Sequence, residues 1–438
     1  MKINKRILSS YTQRGVLQLF LLQGLSMALV FIVNLVLVRI AGMEDYGTYV
    51  YIFNLLALLA GFSVMGLDTL LLKENAVHEH SHNYQKLKGV IHFAILFAVV
   101  GSLLTGIIAV VVINQMHLQA IIKIDHYYLI FLILLPLLSL GAVLQGSLQG
   151  LKKIIFSQVN EKVVRPLLML IAISVFYFLK KKTDLPELII IGGAAIFITL
   201  LITWILHARI VIPKIKNVIA KYETAYWIKS AFGFFLLNIL VVMNSRVDIF
   251  LLGILGSNKE VGVYNIILKV SEVIGIALFI INFVISPLIP KMIITNEKEQ
   301  LQKLVTQSAR FVLLISVPVV LGIILFRHQV LGFFRVDLFG ASKALVILCC
   351  GQLVNIMYGS VGILLLMSGN QKYSIISLSI SVLLNITLNI ILIPKFGIIG
   401  VSIAAAISLT AWNSLMYYFV RKKLNIYTTA FQHIKNYY

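Results

Sequence analysis

The strongest constraint on this chain is a series of apolar blocks, each about twenty residues long, that recurs from end to end. About 20 apolar residues are what a helix needs to cross the hydrocarbon core of a bilayer. Twelve such blocks are centred near Met27, Leu58, Gly101, Leu137, Ile171, Phe197, Val241, Leu278, Pro318, Val354, Leu384 and Leu409. Of the 438 residues, 60% are hydrophobic and 12% charged, against roughly 25% charged in an ordinary soluble domain. The sequence therefore predicts an all-α polytopic membrane protein of about twelve transmembrane helices. Lys2, Lys5, Arg6 and Arg14 precede the stretch from Val16 to Val38, which is too long for a signal-peptide core and reads as an uncleaved first span.

The net charge of +21 would suggest nucleic acid in a soluble protein. Here the cations cluster in short loops beside apolar spans, where they orient the chain and meet anionic lipid headgroups. With the N-terminus inside, 25 cations fall on the cytoplasmic side and ten outside. This predicts a multi-pass protein of a bacterial plasma membrane with both termini cytoplasmic. Lys180, Lys181 and Lys182 run against the trend. No loop is long enough for a folded domain, and no nucleotide-binding P-loop is present. The expectation is a protein that is not an enzyme, uses no cofactor and binds no nucleic acid. Cys349 and Cys350 are adjacent inside an apolar block and match no disulfide or metal spacing. His78, His80 and His82 alternate in a polar loop and read as solvated residues, not ligands.

The polar stretch from His207 to Lys229 divides the chain into two sets of six spans, predicting lobes over 1–215 and 216–438. The two sets resemble each other. Gly42, Gly47 and Tyr49 pair with Gly256, Gly262 and Tyr264. An even number of spans per repeat makes this a parallel repeat about an axis along the membrane normal, with a central cavity and rocking between two access states as the expectation.

Ionisable residues inside a span are costly and tend to face a cavity or a partner. Arg246, Asp248, Lys269 and Glu272 are the clearest cases. One reading pairs Arg246 with Glu272 and Asp248 with Lys269 as structural salt bridges. The other makes Lys269 and Arg246 substrate-binding and assigns ion coupling to Asp248 and Glu272. The repeat places Asn34 opposite Asp248 and Asn54 opposite Lys269, so the first half is polar where the second is charged. Asn385 and Asn389 form a polar stripe at i, i+4, suited either to interhelical hydrogen bonds or to lining a groove. Glu161 and Arg165 are candidates for a cytoplasmic mouth, or for a solvated ion pair at a helix end. Asp68 reads as a boundary residue. Gly146 and Gly150 form a GxxxG of low specificity.

Several stretches carry a family resemblance: Ala41-Gly42-Met43-Glu44-Asp45-Tyr46-Gly47-Thr48-Tyr49, Leu148 to Lys153, Asp248 to Tyr264, and Asn385 through Pro394 to Gly400. In order and spacing they resemble the multidrug/oligosaccharidyl-lipid/polysaccharide exporter superfamily, and within it the Wzx-like O-antigen flippases. The resemblance covers about Gln13 to Val420. It implies a flippase that moves undecaprenyl-pyrophosphate-linked oligosaccharide units between leaflets for surface polysaccharide synthesis, with membrane lipids and polysaccharide polymerase machinery as partners. Lipid II flippases, which are similar, place cations from the first, second and eighth spans around the pyrophosphate. Lys269 matches the third of these, Asn54 departs from the second, and Arg14 alone is available for the first. The alternatives are a cation-coupled multidrug exporter of the same fold, or a membrane glycosyltransferase or polymerase, against which the absence of a large outer loop counts.

Overall fold

The computed structural model describes residues 10–115, 125–180 and 183–430, and among them all regular secondary structure is helical. Lys2, Lys5, Arg6, Lys123, Lys181, Lys182 and Lys435, which enter the charge balance, lie outside the described residues. Eleven helical segments are long and apolar enough to cross a membrane. The last of them, Gln371–Leu424, has 54 residues, about 80 Å as a straight rod against a core of about 30 Å. It breaks at Gly397, where φ is 51° and ψ −127°, so it comprises two spans. Counted that way the described residues hold twelve, and each expected centre falls inside one.

The helices group into two compact units, residues 1–246 and 247–438. The first contains α1 (Ser10–Ala41), α2 (Met43–Val64), α3 (Leu67–His80), α4 (Tyr84–Gln115), α5 (Phe131–Gly150), α6 (Ile154–Val159), α7 (Arg165–Lys180), α8 (Leu185–Ile215) and most of α9 (Thr224–Leu255). A π turn at Asn160–Val164 joins α6 to α7. The start of α8 follows from Asp184-Leu185-Pro186-Glu187: Asp184 and Glu187 form a reciprocal capping box, with proline in the first turn. Outward faces remain apolar, with Leu104, Ile108 and Phe178 all exposed, as suits helices solvated by lipid.

Small residues bring α3 and α5 together. A Cβ on Gly146 would lie 2.3 Å from the carbonyl oxygen of Asp68, so only a hydrogen fits there. Gly146→Ala is expected to destabilise the chain by about 1–3 kcal/mol through overpacking. Gly141→Ala, one and a half turns away with nothing within 4 Å, should leave the melting temperature of the solubilised protein unchanged or slightly raised. Equal melting of the two variants would contradict this packing.

The segment between α8 and α9 is strapped to the first unit. Lys86 Nζ lies 2.6 Å from Glu223 Oε1, Lys88 Nζ donates to the Val218 carbonyl at 2.9 Å, and Lys214 pairs with Glu79. The Lys86 ammonium holds the Glu223 carboxyl below the usual carboxylate range. Trp227 is fully buried beside Phe93 in a core with Leu70, Leu71 and Leu87. Desolvation holds His78 on α3 below the ordinary imidazole pKa, against the opposite pull of Glu74. The folded chain therefore binds fewer protons at His78 than the unfolded chain. Stability is full above the unfolded pKa, about 6.5, and is lost as pH falls from there through the folded value. Thermal melting from about pH 7 down to about pH 5 should fall less steeply for His78→Gln than for the natural chain.

The second unit contains α10 (Asn258–Glu272), α11 (Ile276–Ile285), α12 (Leu288–Ile294), α13 (Lys298–Leu325), α14 (Arg327–Phe333), α15 (Ala341–Tyr358), α16 (Val361–Met367) and the kinked α17 (Gln371–Leu424). A 3-10 turn at Val273–Gly275 joins α10 to α11. The core at one end is built from Ile289, Leu301, Val305, Leu364, Leu365 and Val420. Residues 425–430 return to that end, where Gln302 both donates to the Tyr427 carbonyl and accepts from its N–H.

Candidate functional site

Counting along the helices from their breaks locates the polar residues. Asp248 lies eight residues before the turn at Gly256, Tyr264 eight after it, and Asn389 eight before the break at Gly397. At 1.5 Å per residue each is about 12 Å from its turn. The turns are held at one level because Gly397 packs against Glu260, whose carboxylate accepts from the Ser257 N–H and hydroxyl at the start of α10. The three side chains accordingly meet. The Tyr264 hydroxyl donates to Asp248 Oδ2 at 3.0 Å, and Asn389 Nδ2 donates to Asp248 Oδ1 at 2.8 Å and to Asn385 Oδ1 at 2.9 Å. Asn385 and Asn389 are buried, and Asn389 Oδ1 finds no hydrogen-bond donor among the described residues. No Lys or Arg among the described residues pairs with Asp248. The result is a partly buried carboxylate held against two buried amides.

The Asp248–Lys269 bridge of the structural reading is not formed. Lys269 is thirteen residues past Gly256, against eight for Asp248, a mismatch of about 7 Å along the helices. Lys269 instead pairs with Glu272 one turn on, at 2.8 Å, and both side chains are about a third exposed (33% and 38%). That exposure separates them from the buried Asn385 and Asn389.

In the first unit, α1, α2, α5, α7 and α9 enclose a cavity of about 670 Å³. Asn34, Asn54, Glu161, Arg165 and Arg246 all line it. Asn34 lies eight residues before Gly42, as Asp248 lies eight before Gly256. The Tyr46 hydroxyl donates to Asn34 Oδ1 at 2.5 Å. Each half therefore sets a tyrosine hydroxyl from the second hairpin helix on a polar residue of the first, an amide in one half and a carboxylate in the other. The tyrosines are not repeat equivalents, since Tyr264 aligns with Tyr49.

Asn54 donates to the Val50 carbonyl at 2.8 Å, which leaves its Oδ1 to accept from the Arg246 guanidinium. The second-span position that lacks a cation is thus reached by a cation from α9. Asn238, two turns before Arg246 on α9, also lines the cavity and donates to Asp68 Oδ1 at 3.3 Å and Thr69 Oγ1 at 3.1 Å. The sequence signal of Asn238 is its spacing from Val242 and Arg246 at i+4 and i+8, which marks one face. Asp68, which reads in sequence as a boundary residue, lines the cavity. Glu161 and Arg165 form no ion pair with each other among the described residues. A π turn, with i, i+5 hydrogen bonding, lies between them.

Twelve apolar spans among the described residues, with polar amides, a partly buried carboxylate and a cavity of about 670 Å³ set within them, are features of a multi-pass membrane protein of the transporter class. Residues 12–293 match the family described as polysaccharide biosynthesis protein, and the chain belongs to that family. Residues 234–391 also match the MatE family. Over 165 residues, 37% of this chain and 35% of the relative, it is 27% identical to a probable low-salt glycan biosynthesis flippase, Agl15, of Haloferax volcanii. The matched stretch thus spans about a third of that protein. Among solved structures, an inward-facing multidrug resistance MATE family transporter of the MOP superfamily aligns with a TM-score of 0.74 at 13% identity, covering 91% of this chain and 94% of that one. The lipid II flippase MurJ in an inward closed conformation aligns with a TM-score of 0.67 at 16% identity, covering 92% and 87%. The two alignments show a common fold.

Proposed function

We propose that the protein is a flippase for polyprenyl-pyrophosphate-linked oligosaccharide, moving it from the cytoplasmic to the outer leaflet by alternating access of two lobes. The observation that carries this reading is the cavity of about 670 Å³ whose polar side chains, Asn34, Asn54, Arg165 and Arg246, stand on otherwise apolar spans, in a chain of the polysaccharide biosynthesis family. A polar headgroup needs such a lining, since burying an unpaired polar group in hydrocarbon costs several kcal/mol. The prenyl tail stays in lipid. Both termini are cytoplasmic in this reading, as the distribution of cations supports.

Asp248 is the coupling site. A carboxylate with no cationic partner among the described residues, set beside Asn385 and Asn389, suits a proton or a monovalent cation driven by its gradient. Lys269 and Glu272, a third exposed, serve the cargo. Exchanging them as Lys269→Glu with Glu272→Lys keeps a pair on the same face, so a purely structural role predicts full transport. The expected result is loss of transport with the protein level unchanged.

A multidrug exporter is the second reading, favoured by the MatE match over 234–391 and by the apolar residues in the cavity wall. Depletion of the protein separates the two. Accumulation of lipid-linked glycan facing the cytoplasm supports the flippase, and unchanged glycan with drug hypersensitivity overturns it.

A further inference from the structure

A second cavity, of about 340 Å³, adjoins the first within the same unit, and Asp68, Glu161 and Arg165 line both. Its own wall comes from α3, α5, the π turn and α8. Three polar pairs at i, i+4 converge on it: Gln145 with Gln149, Glu161 with Arg165, and Thr199 with Thr203. Polar side chains on apolar spans are expensive unless they meet a partner. Yet among the described residues the side chains of Gln145, Gln149, Glu161 and Arg165 make no hydrogen bond or ion pair. The opposite wall is held firmly. Asn160, buried on the π turn, donates to the Thr199 carbonyl at 2.7 Å and to Thr203 Oγ1 at 2.6 Å, and its Oδ1 is buried without a donor among the described residues.

The chemistry of the wall selects a ligand class. Two amides, two carboxylates and one guanidinium offer donors and acceptors in mixture, which is what a group of hydroxyls, each both donor and acceptor, requires. Two carboxylates against one guanidinium give no net attraction for a polyphosphate. No aromatic side chain lines the chamber among the described residues, so a flat apolar compound finds nothing to stack on. The volume stands at the lower end of the roughly 300–1,000 Å³ typical of small-molecule sites.

We propose that this chamber is a subsite for a polyhydroxylated group, the sugar end of the cargo, with the amides of Gln145 and Gln149 as its principal hydrogen-bonding partners and Arg165 at the passage from the larger cavity. The inference rests on the flippase reading and adds the place where the glycan is held. Among the described residues Glu161 and Arg165 are not paired with each other, which leaves both groups available to the ligand.

The test uses the full-length chain in its own cells, fed a radiolabelled sugar precursor. A photoreactive p-benzoylphenylalanine is placed at position 149 or 203 in the chamber, at 242 in the larger cavity, or at the outward-facing 104. After irradiation, sugar label is expected on the protein with probes at 149, 203 and 242 and not at 104. Gln145→Leu combined with Gln149→Leu should lower labelling at 203 by about tenfold while labelling at 242 persists. Label at 242 but at neither 149 nor 203 overturns the chamber and leaves the flippase standing. Unchanged labelling at 203 in the double variant also overturns it. No sugar label at 149, 203 or 242 overturns the flippase reading and the subsite with it. The two chamber probes stand on different helices, so misfolding of one leaves the other informative.

Discussion

Asp248→Asn is expected to lower the rate of lipid-linked glycan translocation by about tenfold or more, the factor equivalent to about 1.4 kcal/mol, without unfolding the protein. Asparagine has the shape of aspartate. It still accepts from Asn389, and the Tyr264 hydroxyl, which is both donor and acceptor, turns to receive its amide hydrogen. The packing against Asn385 and Asn389, both buried, is retained, and the charge alone is removed. If Asp248 neutralises a coupling proton or cation, its amide cannot, and the gradient no longer drives exchange. Translocation in proteoliposomes with an imposed gradient measures the loss, and the melting temperature of the same preparation checks the fold. Full gradient-driven activity of Asp248→Asn would end the coupling assignment. Tyr264→Phe removes one hydrogen bond and keeps the charge, so its effect should be much the smaller.

Gly397→Ala is the second large effect, and it acts on the same cluster from a distance. At φ 51° and ψ −127° a side chain is strained, a cost of about 1–3 kcal/mol. A Cβ there would also lie 2.5 Å from Glu260 Oε1, and Glu260 cannot simply swing away because Ser257 holds it in the capping box at the start of α10. Relief requires the break in α17 to shift, and with it the level of Asn389 relative to Asp248. Lower thermal stability together with reduced translocation is expected. Adding Glu260→Ala should recover only the part due to the clash, since the backbone strain stays and the loss of a capping interaction costs about 0.5–2 kcal/mol. Complete recovery in the double variant would show that φ and ψ at position 397 impose no strain.

The two predictions differ in how visible their residues are in sequence. Asp248 announces itself, because a carboxylate in an apolar span is conspicuous whatever surrounds it. Asn385 and Asn389 are visible as a stripe for the same reason. Their union with Asp248 is a matter of register: two turns, at Gly256 and Gly397, set three side chains eight residues away at one depth, and that level depends on Gly397 meeting Glu260. The Asp248–Lys269 bridge failed for want of that count, since a five-residue difference places the ammonium about a helical turn and a half too far along. Asn238 and Asp68 were inconspicuous because a single amide, or an acid near a span end, has no sequence signature until another helix brings a partner to it.

The sequence by itself determined the solvent, the number of spans, the internal repeat and the identity of the ionisable residues within them. Hydrophobic length and the cost of charge in hydrocarbon act on each segment alone, so these properties need no neighbours to be read. Only the tertiary structure decided which polar groups meet. It set Arg246 on Asn54, Asn389 on Asp248 and Lys269 on Glu272, and it opened two adjoining cavities behind Arg165. Those outcomes depend on helix breaks at Gly397 and Asn160–Val164 and on the close approach at Gly146, where shifts of a few ångströms between helices far apart in the chain choose one partner over another.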